Sequence, residues 1–93
     1  MTIYEKAAAR ILVPGQWTQG ANARDAGGRR TFPLAPVSTC WCAWGALTVE
    51  FKGDGVPDTH LGLDVVEFND TPGRTAEEAA LAILLIGVSK DDL

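Results

Sequence analysis

Ser38-Thr39-Cys40-Trp41-Cys42-Ala43-Trp44-Gly45-Ala46-Leu47-Thr48-Val49-Glu50-Phe51 is the stretch on which the fold turns. Read with a helical period, Ser38 is an N-cap and a helix follows over 39–51. Cys40, Ala43, Trp44, Leu47 and Phe51 then form one apolar stripe, and Cys42, Gly45, Ala46 and Val49 form a second stripe of small residues. A helix apolar on two faces must be central, and Gly45 beside Ala46 would let another backbone pack close against it.

Upstream, Thr2 with Glu5 three residues later is a capping box. Ile3, Tyr4, Ala7, Ala8, Ile11 and Leu12 then share one helical face, so a helix is predicted over 3–13, ended by Pro14 and Gly15. Residues 16–36 read as a long irregular connection, with Trp17, Phe32 and Leu34 expected to anchor it. Asp25-Ala26-Gly27-Gly28-Arg29-Arg30 is its expected exposed tip. Downstream, Gly53 to Pro57 is a turn and Asp58 is the expected cap of a short helix over 58–68. A strand over 63–68 competes with that helix, because Val65 and Val66 are β-branched.

Asn69-Asp70-Thr71-Pro72-Gly73-Arg74-Thr75 reads as a compact turn, with Pro72-Gly73 suiting type II and Thr75 with Glu78 forming a second capping box. The last helix is predicted over 76–86, with Gly87 as its left-handed cap. The expected architecture is therefore mainly α. It is one domain over 1–93, a bundle of three to four helices with a long structured loop between the first two.

At 93 residues, the chain has room for one modest core and none for separate substrate and cofactor domains. Its longest apolar run, Ala79 to Ile86, falls far short of the roughly 20 residues that cross a bilayer, so no membrane span is expected. Two closely spaced cysteines, Cys40 and Cys42, cannot staple distant segments, and no charged-then-apolar leader opens the sequence. Both features favour a cytoplasmic protein. The net charge of -4 is unevenly spread. Residues 1–49 sum to about +3 and residues 50–93 to about -7, which predicts a bipolar surface able to meet a basic partner.

Four runs join these signals into a pattern. They are Trp17-Thr18-Gln19-Gly20, Ala23-Arg24-Asp25-Ala26-Gly27-Gly28, Cys42-Ala43-Trp44-Gly45-Ala46-Leu47, and Phe68-Asn69-Asp70-Thr71-Pro72-Gly73-Arg74-Thr75. In this order they resemble an uncharacterised domain family of bacteria and phages, in which a tryptophan usually stands where this chain has Phe68. The resemblance implies an all-helical small domain and carries no reaction with it.

Several constellations could carry chemistry. Cys42 with His60 and Asn69 or Asp70 supplies the residue types of a thiol hydrolase. A cysteine inside a helix, however, lacks the N-terminal dipole that lowers its pKa, so a buried, inert Cys42 is expected. Cys40, Cys42 and His60 have poor zinc spacing, and Asp54 with Asp58 lacks the ligand alternation of a calcium loop, so no metal or cofactor is expected. Asn69, Asp70 and Arg74 either fix their own turn or line a pocket for a polar ligand with Trp17, Thr18 and Gln19; turn chemistry is the simpler account. Of the tryptophans Trp17, Trp41 and Trp44, the last two stand three positions apart and cannot both face one small core, so one should face a loop or a partner.

Direct nucleic-acid binding fits poorly, since only Arg24, Arg29 and Arg30 offer contacts to phosphate. The favoured reading is a non-enzymatic interaction module of phage or mobile-element type that docks on a protein partner, with Trp17, Arg24, Arg29, Arg30, Asn69, Asp70 and Arg74 as binding residues. Its narrower form is an inhibitor of a host defence or nucleic-acid-handling complex, acting through an acidic surface. The apolar circumference of the last helix further predicts a homodimer. The alternatives are a polar-ligand binding domain and the thiol hydrolase.

Overall fold

In a computed structural model, which describes residues 1–56, 59–60 and 63–91, the chain is an α+β domain rather than a helical bundle. The helices are α1 (Ile3–Leu12), α2 (Ala43–Glu50), α3 (Val65–Asp70) and α4 (Ala76–Asp91). The strands are β1 (Ala23–Asp25), β2 (Arg30–Thr31) and β3 (Ser38–Trp41), with a short antiparallel pair β4 (Thr59–His60) and β5 (Leu63–Asp64) before α3. The segment read as an irregular connection thus contributes β1 and β2 to a three-stranded antiparallel sheet in the order β2-β1-β3, and the third strand comes from the start of the predicted second helix.

Residues 38–41 are extended, not helical, because pairing decides what local period leaves open. Ala23 lies opposite Trp41 and Arg24 opposite Cys40, so a partner strand satisfies the backbone of 38–41. The helix begins four residues later than predicted. Cys42 is its N-cap, in place of Ser38, with the sulfur accepting from the Gly45 N–H at 3.3 Å. Gln16 and Thr18 bond the backbone of Trp41 from the other side, so the Trp17 segment covers the β3 edge while β2 remains the open edge.

The expected hairpin tip is present. Gly28 takes φ +83, and the Asp25 carboxylate accepts from the N–H groups of Gly27 and Arg29 at 2.9 and 3.0 Å. Those two bonds, with the Arg29 guanidinium alongside, hold the Asp25 carboxyl below its ordinary range.

Both capping boxes form, at Thr2/Glu5 and at Thr75/Glu78. The Thr71 C=O accepts from the Arg74 N–H at 3.0 Å with Gly73 at φ +83, as a type II turn requires. Two boundaries move. The helix expected from 58 begins at Val65 and is capped by the Asp64 carboxylate; Asp58 lies outside the described residues. Gly87 does not end α4 but lies within it, where a Cβ would stand 2.6 Å from the Tyr4 ring, so its role is close packing.

The core is alanine-rich, which lets helices approach closely. Ala7, Ala8 and Ile11 of α1 join Ala43, Ala46 and Leu47 of α2, Val65 of α3, and Ala79, Ala80, Ile83 and Ile86 of α4. Phe32 and Leu34, expected as anchors, are instead 83% and 52% exposed; Pro33 between them is buried, and its C=O accepts from the Trp41 indole at 2.9 Å.

Candidate functional site

Asn69 stands at the end of α3 with its side chain completely buried. Its Oδ1 accepts from the Trp17 indole N–H at 2.7 Å and from the Ala43 N–H, in the first turn of α2, at 2.9 Å. Its Nδ2 donates to the Thr18 C=O and to the Asp70 carboxylate, both at 3.0 Å. Asp70 also accepts from the Gly20 N–H, and the Gln19 amide donates to the Asn69 and Thr71 carbonyls. The structure thus brings Trp17, Thr18, Gln19, Asn69 and Asp70 together, the grouping the sequence offered as the alternative to local turn chemistry, but as a joint in which these polar groups satisfy one another. It locks the Trp17 segment to α3 and to the start of α2.

The remaining predicted residues scatter. Arg24 is half-buried and its guanidinium donates to Thr18 Oγ1 and to the Gln19 and Gly28 carbonyls, tying the hairpin to the Trp17 segment. Arg29 pairs with Asp25 at the hairpin tip. Arg74 lies over the Phe68 ring at 3.7 Å, donates to the Phe68 C=O and pairs with Glu78, so it caps a carbonyl and does not pair with Asp70. Trp41 is buried while Trp17 and Trp44 are half-buried, so the exposed aromatic ring is Phe32 rather than a tryptophan.

Arg30 lies on β2, exposed, with no ion pair or side-chain hydrogen bond among the described residues. It opens onto a groove of about 570 Å³ that runs between β2 with its following turn and α3, lined by Gly20, Asn22, Arg30, Phe32, Val66 and Asp70. Sequence reading missed Phe32 and Val66 here. The available signal was the flanking pair Pro33 and Pro36. They break the strand into two successive turns, with Phe32 C=O to Ala35 N–H and Ala35 C=O to Ser38 N–H, and so throw Phe32 outward.

Cys42 is buried, as expected, yet it lies at the N-terminus of α2, not within it. Burial pushes its thiol up from the ordinary range, and this outweighs the opposing hydrogen bonds from the N–H groups of Gly45 and Trp44. The His60 side chain lies outside the described residues. Among the described residues, no group of His, Cys, Asp and Glu is placed to hold a metal ion, and no helix is long and apolar enough to cross a membrane. Iodoacetamide at neutral pH is expected to modify half-buried Cys40 first and leave Cys42 unmodified until the chain unfolds. Cys42→Ala is expected to cost about 1 kcal/mol through the lost cap and packing. Rapid labelling of Cys42 in the folded protein would contradict its assignment as a structural cap.

An α+β domain with a self-satisfied polar joint and a solvent-open groove is the class of protein that this geometry defines. The chain belongs to the family of unknown function DUF6197, whose profile matches residues 2–67, from α1 into α3 and short of Asn69. Neither curated proteins nor solved structures gave a match.

Proposed function

We propose that the protein is a non-enzymatic docking module that holds a segment of another protein in the groove between β2 and α3. The observation that carries this reading is Phe32, a large aromatic ring 83% exposed at a groove on the open edge of the sheet. Exposing such a ring leaves apolar surface in water that a partner would remove, and aromatic residues are the usual interface anchors. The polar-ligand alternative is weaker, because the donors and acceptors of the Trp17 and Asn69 joint already pair with one another.

A second surface supports self-association. Leu81, Leu85 and Val88 are each more than half exposed along one side of α4, as expected of a helix with no polar face. One set of variants separates the two surfaces. Pull-down from native cells is expected to retain a specific protein with the parent chain and with Leu85→Glu, and to lose it with Phe32→Ala, whose melting temperature should match the parent's. Sedimentation is expected to show a dimer for the parent and a folded monomer for Leu85→Glu. A partner retained by Phe32→Ala would contradict the groove reading, and a monomeric parent would end the dimer reading.

A further inference from the structure

The commitments of the arginines single out one feature of the groove. Arg10 is bound by Glu50, Arg24 by Thr18 and two backbone carbonyls, Arg29 by Asp25, and Arg74 by Glu78 and the Phe68 C=O. Arg30 has no such partner among the described residues, and it is the arginine that lines the groove, with Phe32 two residues along the chain. The carboxylate in the same groove, Asp70, is already engaged, since its Oδ1 accepts from the Gly20 N–H and the Asn69 side chain. The groove therefore holds a cation free to bind and an anion whose charge is partly met from within.

We infer that the groove recognises an acidic peptide segment, whose side-chain carboxylate pairs with the Arg30 guanidinium while a neighbouring aromatic or aliphatic side chain packs against Phe32 and Val66. This rests on the docking reading and names the chemistry of its partner. A guanidinium presents a planar fork of donors that matches a carboxylate, and such charge-assisted pairs are stronger than neutral ones. An open groove cannot bury a small carboxylate on most sides as an enclosed pocket does, so the additional contact area must come from a chain running along it. The expected occupant is thus opposite in charge to the basic partner suggested by the acid-rich second half of the sequence. Net charge reports the whole surface, whereas the groove is set by which residues line it.

The test uses the full chain as bait for a displayed library of random short peptides, followed by fluorescence anisotropy with labelled synthetic copies of the selected sequences. Selected peptides are expected to pair an Asp or Glu with a nearby Phe, Leu, Ile or Trp. Arg30→Glu, at an exposed position without a partner, is expected to fold as the parent does and weaken these peptides by about tenfold or more. Lysine-substituted peptides should then bind Arg30→Glu better than they bind the parent. Phe32→Ala is expected to weaken acidic and lysine peptides alike. If Phe32→Ala removes binding while Arg30→Glu leaves it unchanged, the acidic preference is overturned and the docking groove stands. Selected peptides indifferent to both variants, or a library that yields none, would overturn the two readings together.

Discussion

Asn69→Ala is expected to destabilise the fold by about 3 to 4 kcal/mol, since each buried polar group left without a partner costs roughly 1 to 3 kcal/mol. The truncation strands the buried Ala43 N–H together with two half-buried groups, the Trp17 indole N–H and the Thr18 C=O, which count for less because water can reach them in part. Against the roughly 5 to 15 kcal/mol of a typical small domain, that is a large share of the whole. Urea unfolding should show a lower midpoint at an unchanged slope.

Asn69→Asp is the sharper variant. It keeps the shape but turns the donor facing Thr18 and Asp70 into a third acceptor. Burial and those acceptors are expected to raise the folded-state pKa of the new carboxyl above its unfolded value, outweighing the Trp17 and Ala43 N–H groups that still donate to its other oxygen. Its penalty relative to the parent should therefore be greatest at neutral pH and shrink as pH falls, when a protonated carboxyl can donate to the Thr18 C=O. A midpoint equal to the parent's for Asn69→Ala would mean that the joint does not hold the fold.

Gly45→Ala is expected to cost about 2 to 3 kcal/mol, although alanine is the better helix former. A Cβ at this position would collide with the backbone carbonyl oxygen of Asn22, with the Asn22 carbonyl carbon 3.0 Å away. That carbonyl accepts from the Cys42 N–H at 3.1 Å, so displacing it disturbs the start of α2 as well. Both offending atoms belong to backbone, and no rotamer change relieves the contact. Asn22 also lines the groove, so the variant should weaken peptide binding beyond its effect on stability. A melting temperature at or above the parent's would show that α2 can slide away from the 20–22 segment.

What could be read in the sequence follows the range of the interactions. The capping boxes at Thr2/Glu5 and Thr75/Glu78 close within one helical turn, so α1 and the start of α4 were legible from neighbours alone. Gly45 was legible for a related reason, since a glycine among small apolar residues announces close approach, though not that Asn22 is what approaches. The sheet was not legible. Strands of two to four residues are too short to show a period, and 38–41 becomes β3 only because 23–25, far off in sequence, arrives beside it. Gly87 misled for the same reason, because its justification is Tyr4 at the other end of the chain. At the candidate site, the meeting of Trp17 to Gln19 with Asn69 and Asp70 entered only as the alternative to local turn chemistry, because composition cannot show which donors reach across the chain and which stay within their own turn.

On the reading proposed above, the polar joint is structural and the protein meets its partner in the groove between β2 and α3. An amide NMR titration of the full chain with a library-selected peptide tests it most directly. Saturable shifts confined to the groove are expected, at Gly20 to Asn22, Arg30 to Ala35, and Val66 to Asp70. Shifts centred instead on Leu81, Leu85 and Val88 of α4, with the groove amides unmoved, would contradict that reading.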